Sequence, residues 1–335
     1  MPLTVRILGI ETSCDETSAA VVADGRRVES NIIASQVDLH RRYGGVVPEI
    51  ASRKHVELVL PVVREALDQA AVSLDAVDAV AVTAGPGLVG ALLVGLSAAK
   101  ALAWSRDIPL IGVNHLRGHI YANFLANPGL RFPLLCLIVS GGHTDLVYLE
   151  DHLHLRRLGR TRDDAAGEAF DKVARVLGLP YPGGPQVDRL ARDGDPEAIA
   201  FPRAYLEEGS YDFSFSGLKT AVLNYVQGPG PHRPPADVAA SFQAAVAEVL
   251  VVKTVTAAAE TGVRHVLLAG GVAANSALRH RLDREAARHG LAVTYPPLEL
   301  CTDNAAMIAA AGYFLHQAGH RDGWDLNAQA TLPLV

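Results

Sequence analysis

Two histidines four residues apart, His115 and His119 in Asn114-His115-Leu116-Arg117-Gly118-His119, are the first residues in the chain whose spacing suggests chemistry. On a helix that spacing puts both imidazoles on one face, where they can share a metal ion. With 13 histidines in 335 positions, roughly half such a pair arises by chance, and a second one, His316 and His320, is present, so the pair needs a further ligand to carry weight. Asp303, in Cys301-Thr302-Asp303-Asn304, is the candidate; the competing reading makes Thr302 or Asp303 the N-cap of the Ala-rich helix that follows. Two histidines and one carboxylate leave open positions on a metal, as catalytic or substrate-binding sites require. No Glu follows His115, so the zinc-protease pattern with its general-base glutamate is missing.

Other stretches suit an anion. The turn Ser140-Gly141-Gly142-His143-Thr144 lies between two apolar runs, and its glycines let backbone N–H groups approach a phosphate, although a tight hairpin wants glycines too. Gly270-Gly271-Val272-Ala273-Ala274-Asn275 follows a strand and opens a helix, which suits a nucleotide; the plainer reading is a connecting turn capped by Asn275 or Ser276. Glu168 and Asp171 share one face of a short helix ending near Gly178, where pairing with Lys172 or Arg175 would make only a solvated face. Glu11, Asp15 and Glu16 crowd one turn, denser in acid than a hairpin needs, and are candidates to orient metal or phosphate. Basic groups gather at Arg41-Arg42-Tyr43, at Arg53-Lys54-His55, and at Arg156, Arg157, Arg160 and Arg162; arginine beside an aromatic suits single-stranded RNA, but most such runs are plain surface.

The elements that must position these residues repeat. An apolar strand (residues 5–10), a polar turn (11–17) and a second strand (18–22) form a hairpin, and residues 134–139, 140–144 and 145–149 repeat that layout. Ala79 to Val82 runs through Gly-Pro-Gly into a helix, as Val266 to Leu268 runs through Gly270-Gly271. Strand, glycine turn and helix make an α/β chain of two similar halves, expected to hold its ligand in the cleft between them. The Asn-, Pro- and Gly-rich stretch 127–133 marks the boundary, giving an N-terminal lobe of residues 1–129 and a C-terminal lobe of 130–335, with a C-terminal helix from about 303 packing back on the first lobe; residues 228–235 read as a loop.

Composition sets bounds. At 335 residues with 49% hydrophobic and 20% charged positions the chain can bury the cores of two lobes. Residues 79–99 carry no charge, but Gly85, Pro86 and Gly87 break a membrane span into strand, turn and helix. No export or organelle signal is visible, so the expected location is the cytoplasm. Cys14, Cys136 and Cys301 are too few and scattered for a disulfide framework and form no CxxC pair. A formal charge of -6 argues against gripping nucleic acid through the overall field, so any RNA contact is local or shared with partners.

Several stretches together resemble the threonylcarbamoyltransferase family that modifies tRNA, earlier described as O-sialoglycoprotein endopeptidases. They are residues 10–17 (IETSCDET), 43–49 (YGGVVPE), the His115/His119 segment, 139–144 (VSGGHT), 167–172 (GEAFDK), 181–185 (YPGGP), 213–219 (FSFSGLK), 270–275 (GGVAAN) and 302–304 (TDN), in register along nearly the whole chain. The resemblance implies an α/β actin-like ATPase (ASKHA) fold, two RNase H-like lobes with a cleft holding one divalent metal and an adenine nucleotide or threonylcarbamoyl-adenylate. It places metal ligands on His115, His119 and Asp303, with Fe2+ or Zn2+ as the ion. Nucleotide contacts fall on Ile138, Val139, Ser140, Gly141, Gly142, Asp171, Gly184, Asp188 and Asn275.

The reaction it implies moves threonylcarbamoyl from the adenylate to N6 of the adenosine 3′ of the anticodon in tRNAs reading codons that begin with A, releasing AMP. An exocyclic amine is a poor nucleophile, so the acyl carbon must be activated and the amine held against it, with the target base out of its stack. For the general base, Glu11, Asp15 and His143 are candidates by location. The implied partners are tRNA, an actin-like paralogue (TsaB), a small P-loop ATPase (TsaE) and a synthase that supplies threonylcarbamoyl-AMP. Against this stand a small-molecule kinase of the same fold, which would lack a histidine-based metal, a metallopeptidase, disfavoured by the missing glutamate, and a scaffold whose partners do the chemistry.

Overall fold

The structure, a computed structural model, describes residues 4–229 and 233–335. Its chain divides into two compact units, one formed by the chain up to Leu130 together with Pro296–Val335 and the other by Arg131–Tyr295.

The first unit begins with an antiparallel meander, β1 (Arg6–Glu11), β2 (Glu16–Ala23) and β3 (Arg27–Ser35), followed by the short α1 (Val37–Arg41) and the long α2 (Pro48–Ala70). Then come β4 (Ala79–Gly85), α3 (Val89–Arg106), β5 (Leu110–Asn114) and α4 (His115–Ala126). The sheet order is β3-β2-β1-β4-β5, with β4 parallel to β1 and β5 parallel to β4. Strands buried on both faces read as continuous apolar runs rather than alternating ones. The side chains of Leu8, Ile10, Val80 and Val82 pack with Val59, Val62 and Leu96 of α2 and α3, and the other face is covered by the C-terminal helix described below. The uncharged stretch 79–99 is thus strand, turn and helix. Leu92, Leu96 and Ala99 of α3 are core, while Leu93 stays exposed.

The second unit repeats the plan. A meander of β6 (Leu134–Val139), β7 (Thr144–Leu149) and β8 (Leu155–Arg160) leads through α5 (Ala166–Val176), α6 (Gly183–Ala191), α7 (Ser216–Gln227) and α8 (Pro235–Thr261) to β9 (His265–Ala269), α9 (Ser276–Arg288) and β10 (Ala292–Thr294). Its sheet order, β10-β9-β6-β7-β8, mirrors the first with the same parallel and antiparallel pairings. Both halves of the expected duplication are therefore present, each with a meander and two parallel strands. The loop expected at 228–235 falls in part on residues 230–232, outside the described residues. Among the described residues, one helix, α8, is long and apolar enough to cross a membrane; 83% of its most apolar window is buried within the protein, as befits a core helix.

From Pro296 the chain belongs to the first unit again, through α10 (Leu298–Cys301) and α11 (Ala305–Gln317). Residues 305–312 are all buried, and the helix packs against β1, β2, β4 and α4. A run of alanines suits this position, because small side chains let the helix axis lie close to the sheet.

Candidate metal and nucleotide sites

Two elements that meet in the first unit build the metal candidate. Asn114 ends β5 and caps α4, its side-chain oxygen accepting from the amides of Leu116 (2.9 Å) and Arg117 (3.3 Å). His115 therefore opens the helix and His119 sits one turn later on the same face. Asp303 lies in the short loop between α10 and α11. Contrary to the reading that made Thr302 or Asp303 the cap, Asn304 caps α11 by accepting from the Met307 amide at 3.0 Å, which leaves the Asp303 carboxylate available. Asp303 Oδ1 is 3.4 Å from His115 Nε2 and 3.2 Å from His119 Nε2, and one ligand atom from each of the three residues lies within 4.8 Å of the others. His316 and His320 gather no third ligand among the described residues.

Behind the group stands Glu11, fully buried at the end of β1. One of its oxygens accepts from the Ser13 amide, and the other accepts from the Thr83 hydroxyl at 2.7 Å and lies 2.9 Å from His115 Nδ1. Burial would raise the Glu11 pKa, but the charge and hydrogen bond of His115 outweigh it and hold the group lowered. For Asp303, too, burial acts upward and the charge and hydrogen bond of His115 prevail, leaving the carboxyl well below its usual range. His115 shows the converse: burial lowers it, while Asp303 and then Glu11 raise it well above an ordinary histidine. The arrangement draws positive charge to His115 Nε2 and Asp303.

A cation fits this donor set. His119 is 1% exposed; its Nδ1 has no hydrogen-bond partner, and its Nε2 faces only the Asp303 carboxylate at 3.2 Å. Two imidazoles and one carboxylate this close are a donor set that a divalent cation would satisfy. A carboxylate on the far nitrogen of a metal-binding histidine fixes ring orientation and raises basicity, and Glu11 is placed to do this for His115.

Of the other acidic residues in the first turn, Asp15 is 7% exposed and Glu16 accepts from the Ser35 hydroxyl at 2.9 Å. His55, grouped by sequence with basic Arg53 and Lys54, is in fact wholly buried, with its ring between the Thr17 hydroxyl and the Cys14 carbonyl. Arg53 pairs with Glu49, Lys54 with Glu57 and Arg41 with Asp38. The three cysteines are free thiols.

In the second unit the glycine turn closes β6 to β7: the Ser140 amide donates to the His143 carbonyl at 2.8 Å, and the Ser140 hydroxyl accepts from the His143 amide at 3.1 Å. Gly141 and Gly142 are exposed, and a Cβ on either would meet nothing within 4 Å. Ile138 and Val139 are fully buried in the central strand, paired with β7 and, for Ile138, with β9 as well, so they support the turn from beneath. Two further segments converge on this end of β6. The α5 terminus reaches it through the Gly167 amide, 3.2 Å from the Ser140 carbonyl. The turn after β9 reaches it through Gly270, which has φ +88° and leaves room for a Cβ only 2.4 Å from the Val139 carbonyl. Gly270 is followed by a single turn of 3-10 helix, and Asn275 caps α9 through the Leu278 amide at 2.9 Å while donating to Gln243.

Asp171, on α5, accepts from the Gly183 amide at 2.7 Å and so sits on the N-terminus of α6; burial raises its pKa while the amides of Gly183 and Gly184 oppose that. Asp188 accepts from the Ser276 hydroxyl at 2.7 Å and pairs with Arg192 at 3.5 Å, which joins it to the α9 terminus next to Asn275. Glu168 pairs with Lys172, the solvated-face reading of that residue. Arg162 is held by Glu207 and Asp212, and Arg157 lies 3.9 Å from Asp145, so two of the four arginines in that run serve ion pairs, and Arg156 lies over the Tyr148 ring. Sequence reading passed over Asp163 and Asp164, which hold α7: Asp163 accepts from the amides of Phe215 and Ser216, and Asp164 pairs with Lys172 and Lys219. Two consecutive aspartates before a helix were the available signal.

Comparison with known proteins identifies the family of the chain. The profile of the TsaD family, tRNA N6-adenosine threonylcarbamoyltransferase, matches residues 27–310. A protein of that description from Symbiobacterium thermophilum is 68% identical over 330 residues, covering 98% of this chain and 96% of the relative. One from Bacillus subtilis is 57% identical over 333 residues, covering 98% and 96%. Among solved structures, HypF of T. kodakarensis aligns with a TM-score of 0.64 at 18% identity, covering 95% of this chain and 49% of that one. Component A of the Acidaminococcus fermentans (R)-2-hydroxyglutaryl-CoA dehydratase aligns with a TM-score of 0.55 at 15% identity, covering 94% and 100%. These structural likenesses establish the fold, the actin-like ATPase (ASKHA) architecture.

Proposed function

The chain belongs to the TsaD family of tRNA N6-adenosine threonylcarbamoyltransferases, and we propose that it performs this acyl transfer with a divalent metal held by His115, His119 and Asp303 and with threonylcarbamoyl-adenylate as donor. As a family member it is an acyltransferase that modifies tRNA. The observation that carries the metal reading is the meeting of two buried histidines and a carboxylate, with the Nε2 atoms of both rings directed at Asp303 Oδ1. Iron or zinc suits two imidazoles and one carboxylate with open positions. When bound, the ion supplies Lewis acidity that holds the threonylcarbamoyl group and polarises its carbonyl.

The residues of the chain do the rest. Glu11 fixes the His115 ring; with both oxygens engaged it serves better as an orienting group than as a general base, which leaves Asp15 and His143 as candidates for that role. In the second unit the exposed turn Ser140-Gly141-Gly142, carried at the end of the buried strand residues Ile138 and Val139, receives the phosphate that departs with AMP. Asp171, Gly184, Asp188 and Asn275 cluster at the α6 and α9 termini and line the remainder of the adenylate site.

An actin-like paralogue docks on the exposed apolar faces of α2 and α3, where Val56 and Leu60 on one helix and Val89 and Leu93 on the other are 42–65% exposed. The P-loop ATPase, the adenylate synthase and a cytoplasmic location complete this reading. Metal content tests it: elemental analysis of folded His115→Ala/His119→Ala protein should show the metal lost, and unchanged occupancy would place the metal elsewhere.

A further inference from the structure

The segment after α11 is a strap along β5, the edge strand of the first sheet. Asp322 donates its amide to the Leu110 carbonyl at 2.9 Å and accepts from the Gly112 amide at 2.7 Å. Lys100 of α3 reaches the Trp324 carbonyl at 2.7 Å. The strap then crosses the ends of β4 and β5: the Gln329 amide donates to the Ala84 carbonyl at 2.9 Å, and the Gly87 amide to the Ala330 carbonyl at 3.3 Å. Gly85, at φ +151°, passes so close that a Cβ there would lie 2.0 Å from the Gln329 carbonyl. Finally the side-chain amide of Asn114 donates to the carbonyls of Leu332 and Pro333, both at 3.1 Å.

Asn114 thus faces two ways. Its oxygen caps α4 by accepting from Leu116 and Arg117, and its nitrogen is tied to the strap. The next residue is His115. An N-cap sets the entry angle of its helix, and at the first helical position an imidazole has no preceding turn to fix it. His115 is therefore held from its ring by Glu11 and from its backbone by Asn114, and that second hold is anchored in residues more than two hundred positions later in the chain.

We propose that residues 322–333 act as a strap that sets the position of His115, with Asn114 as a positioning residue for the metal group. This rests on the metal reading above and adds to it a dependence of metal affinity on a segment containing none of its ligands. Groups that orient first ligands typically change affinity by about 10- to 100-fold when lost, and the strap, acting one bond further away, is expected to contribute toward the lower end.

The test uses the otherwise complete chain. Asn114→Ser keeps an oxygen that can cap α4 but loses the side-chain amide whose two N–H groups reach the strap, its shorter hydroxyl being taken up by the cap, and a chain ending at Thr331 removes both acceptors. Zn2+ affinity by competition with a chromophoric chelator, and hydrogen exchange across residues 114–126, are measured for each variant and for the double variant. The expected result is cooperative melting as in the parent, faster exchange in the first turn of α4, and Zn2+ binding weaker by roughly tenfold. The double variant should be no weaker than the worse single one, because both changes cut the same link. Parent-like affinity and exchange in Asn114→Ser, or additive losses in the double variant, overturn the proposal. If the shortened chain does not fold, Asn114→Ser decides alone. If the parent takes up no Zn2+, iron or other metal, the metal reading has failed, and the exchange rates still decide the strap.

Discussion

Gly141→Val separates ligand approach from folding. At Gly141 an added Cβ meets nothing within 4 Å, so the fold tolerates the substitution, and the new side chain stands where a phosphate would come to the turn. A backbone N–H donating to a charged oxygen contributes about 1.5–3 kcal/mol. Losing one such bond weakens adenylate binding by about tenfold at the lower figure and about 150-fold at the upper. Gly167→Val is the contrasting variant: its Cβ would lie 2.5 Å from the Ser140 carbonyl and 2.8 Å from Gly141 Cα, so it should distort the turn and lower stability as well as binding. The assay is calorimetric titration with AMP or a stable adenylate analogue, beside thermal melting of both variants. Gly141→Val should melt like the parent and bind at least tenfold more weakly. Parent-like affinity in Gly141→Val would refute the placement of the phosphate at this turn.

Burial, and after it the charge of Asp15, push the Glu16 carboxyl up to about 9 from 4.5. A raised carboxyl favours the protonated form in the fold, so its contribution to stability is complete below about pH 4.5 and is lost as pH rises toward 9. Urea unfolding of Glu16→Gln should therefore decline less between pH 5 and 9 than the parent, and identical slopes would count against the shift. Lys253, 5% exposed, donates to the carbonyls of Tyr205, Ser210 and Asp212. Lys253→Met leaves those acceptors unpaired and should lower unfolding free energy by about 1–3 kcal/mol, with no loss in urea unfolding as the opposing result. With net charge -6, the isolated chain should bind tRNA weakly, and the partners should tighten a gel-shift titration and restore turnover; tight, salt-sensitive binding and repeated turnover by the chain alone would contradict this.

Local patterns made part of this legible. The hairpins, the glycine turns and the same-face placement of His115 and His119 follow from spacings of a few residues, and the duplicated plan shows because both halves repeat the order of strand and turn. Asp303 did not follow from spacing. It comes from a loop far along the chain, and its neighbour Asn304 proved to be the cap that a local reading assigned to Thr302 or Asp303. Edge strands were hidden by composition: β8, with Arg156, Arg157 and Arg160, reads as a basic run, because an edge strand can carry charge on its open side. His55 looked basic beside Arg53 and Lys54, yet helix periodicity turns it inward from both. The strap escaped because its hydrogen bonds to the rest of the unit run largely through backbone carbonyls and amides, which leave no mark in the residue types.

The most direct measurement is nucleoside mass spectrometry of a tRNA transcript incubated with threonylcarbamoyl-adenylate, the partner proteins, and either the parent chain or His115→Ala/His119→Ala. The account predicts N6-threonylcarbamoyladenosine with the parent and none above background with a folded double variant. Equal product from both, or none from the parent with every component present, would contradict it.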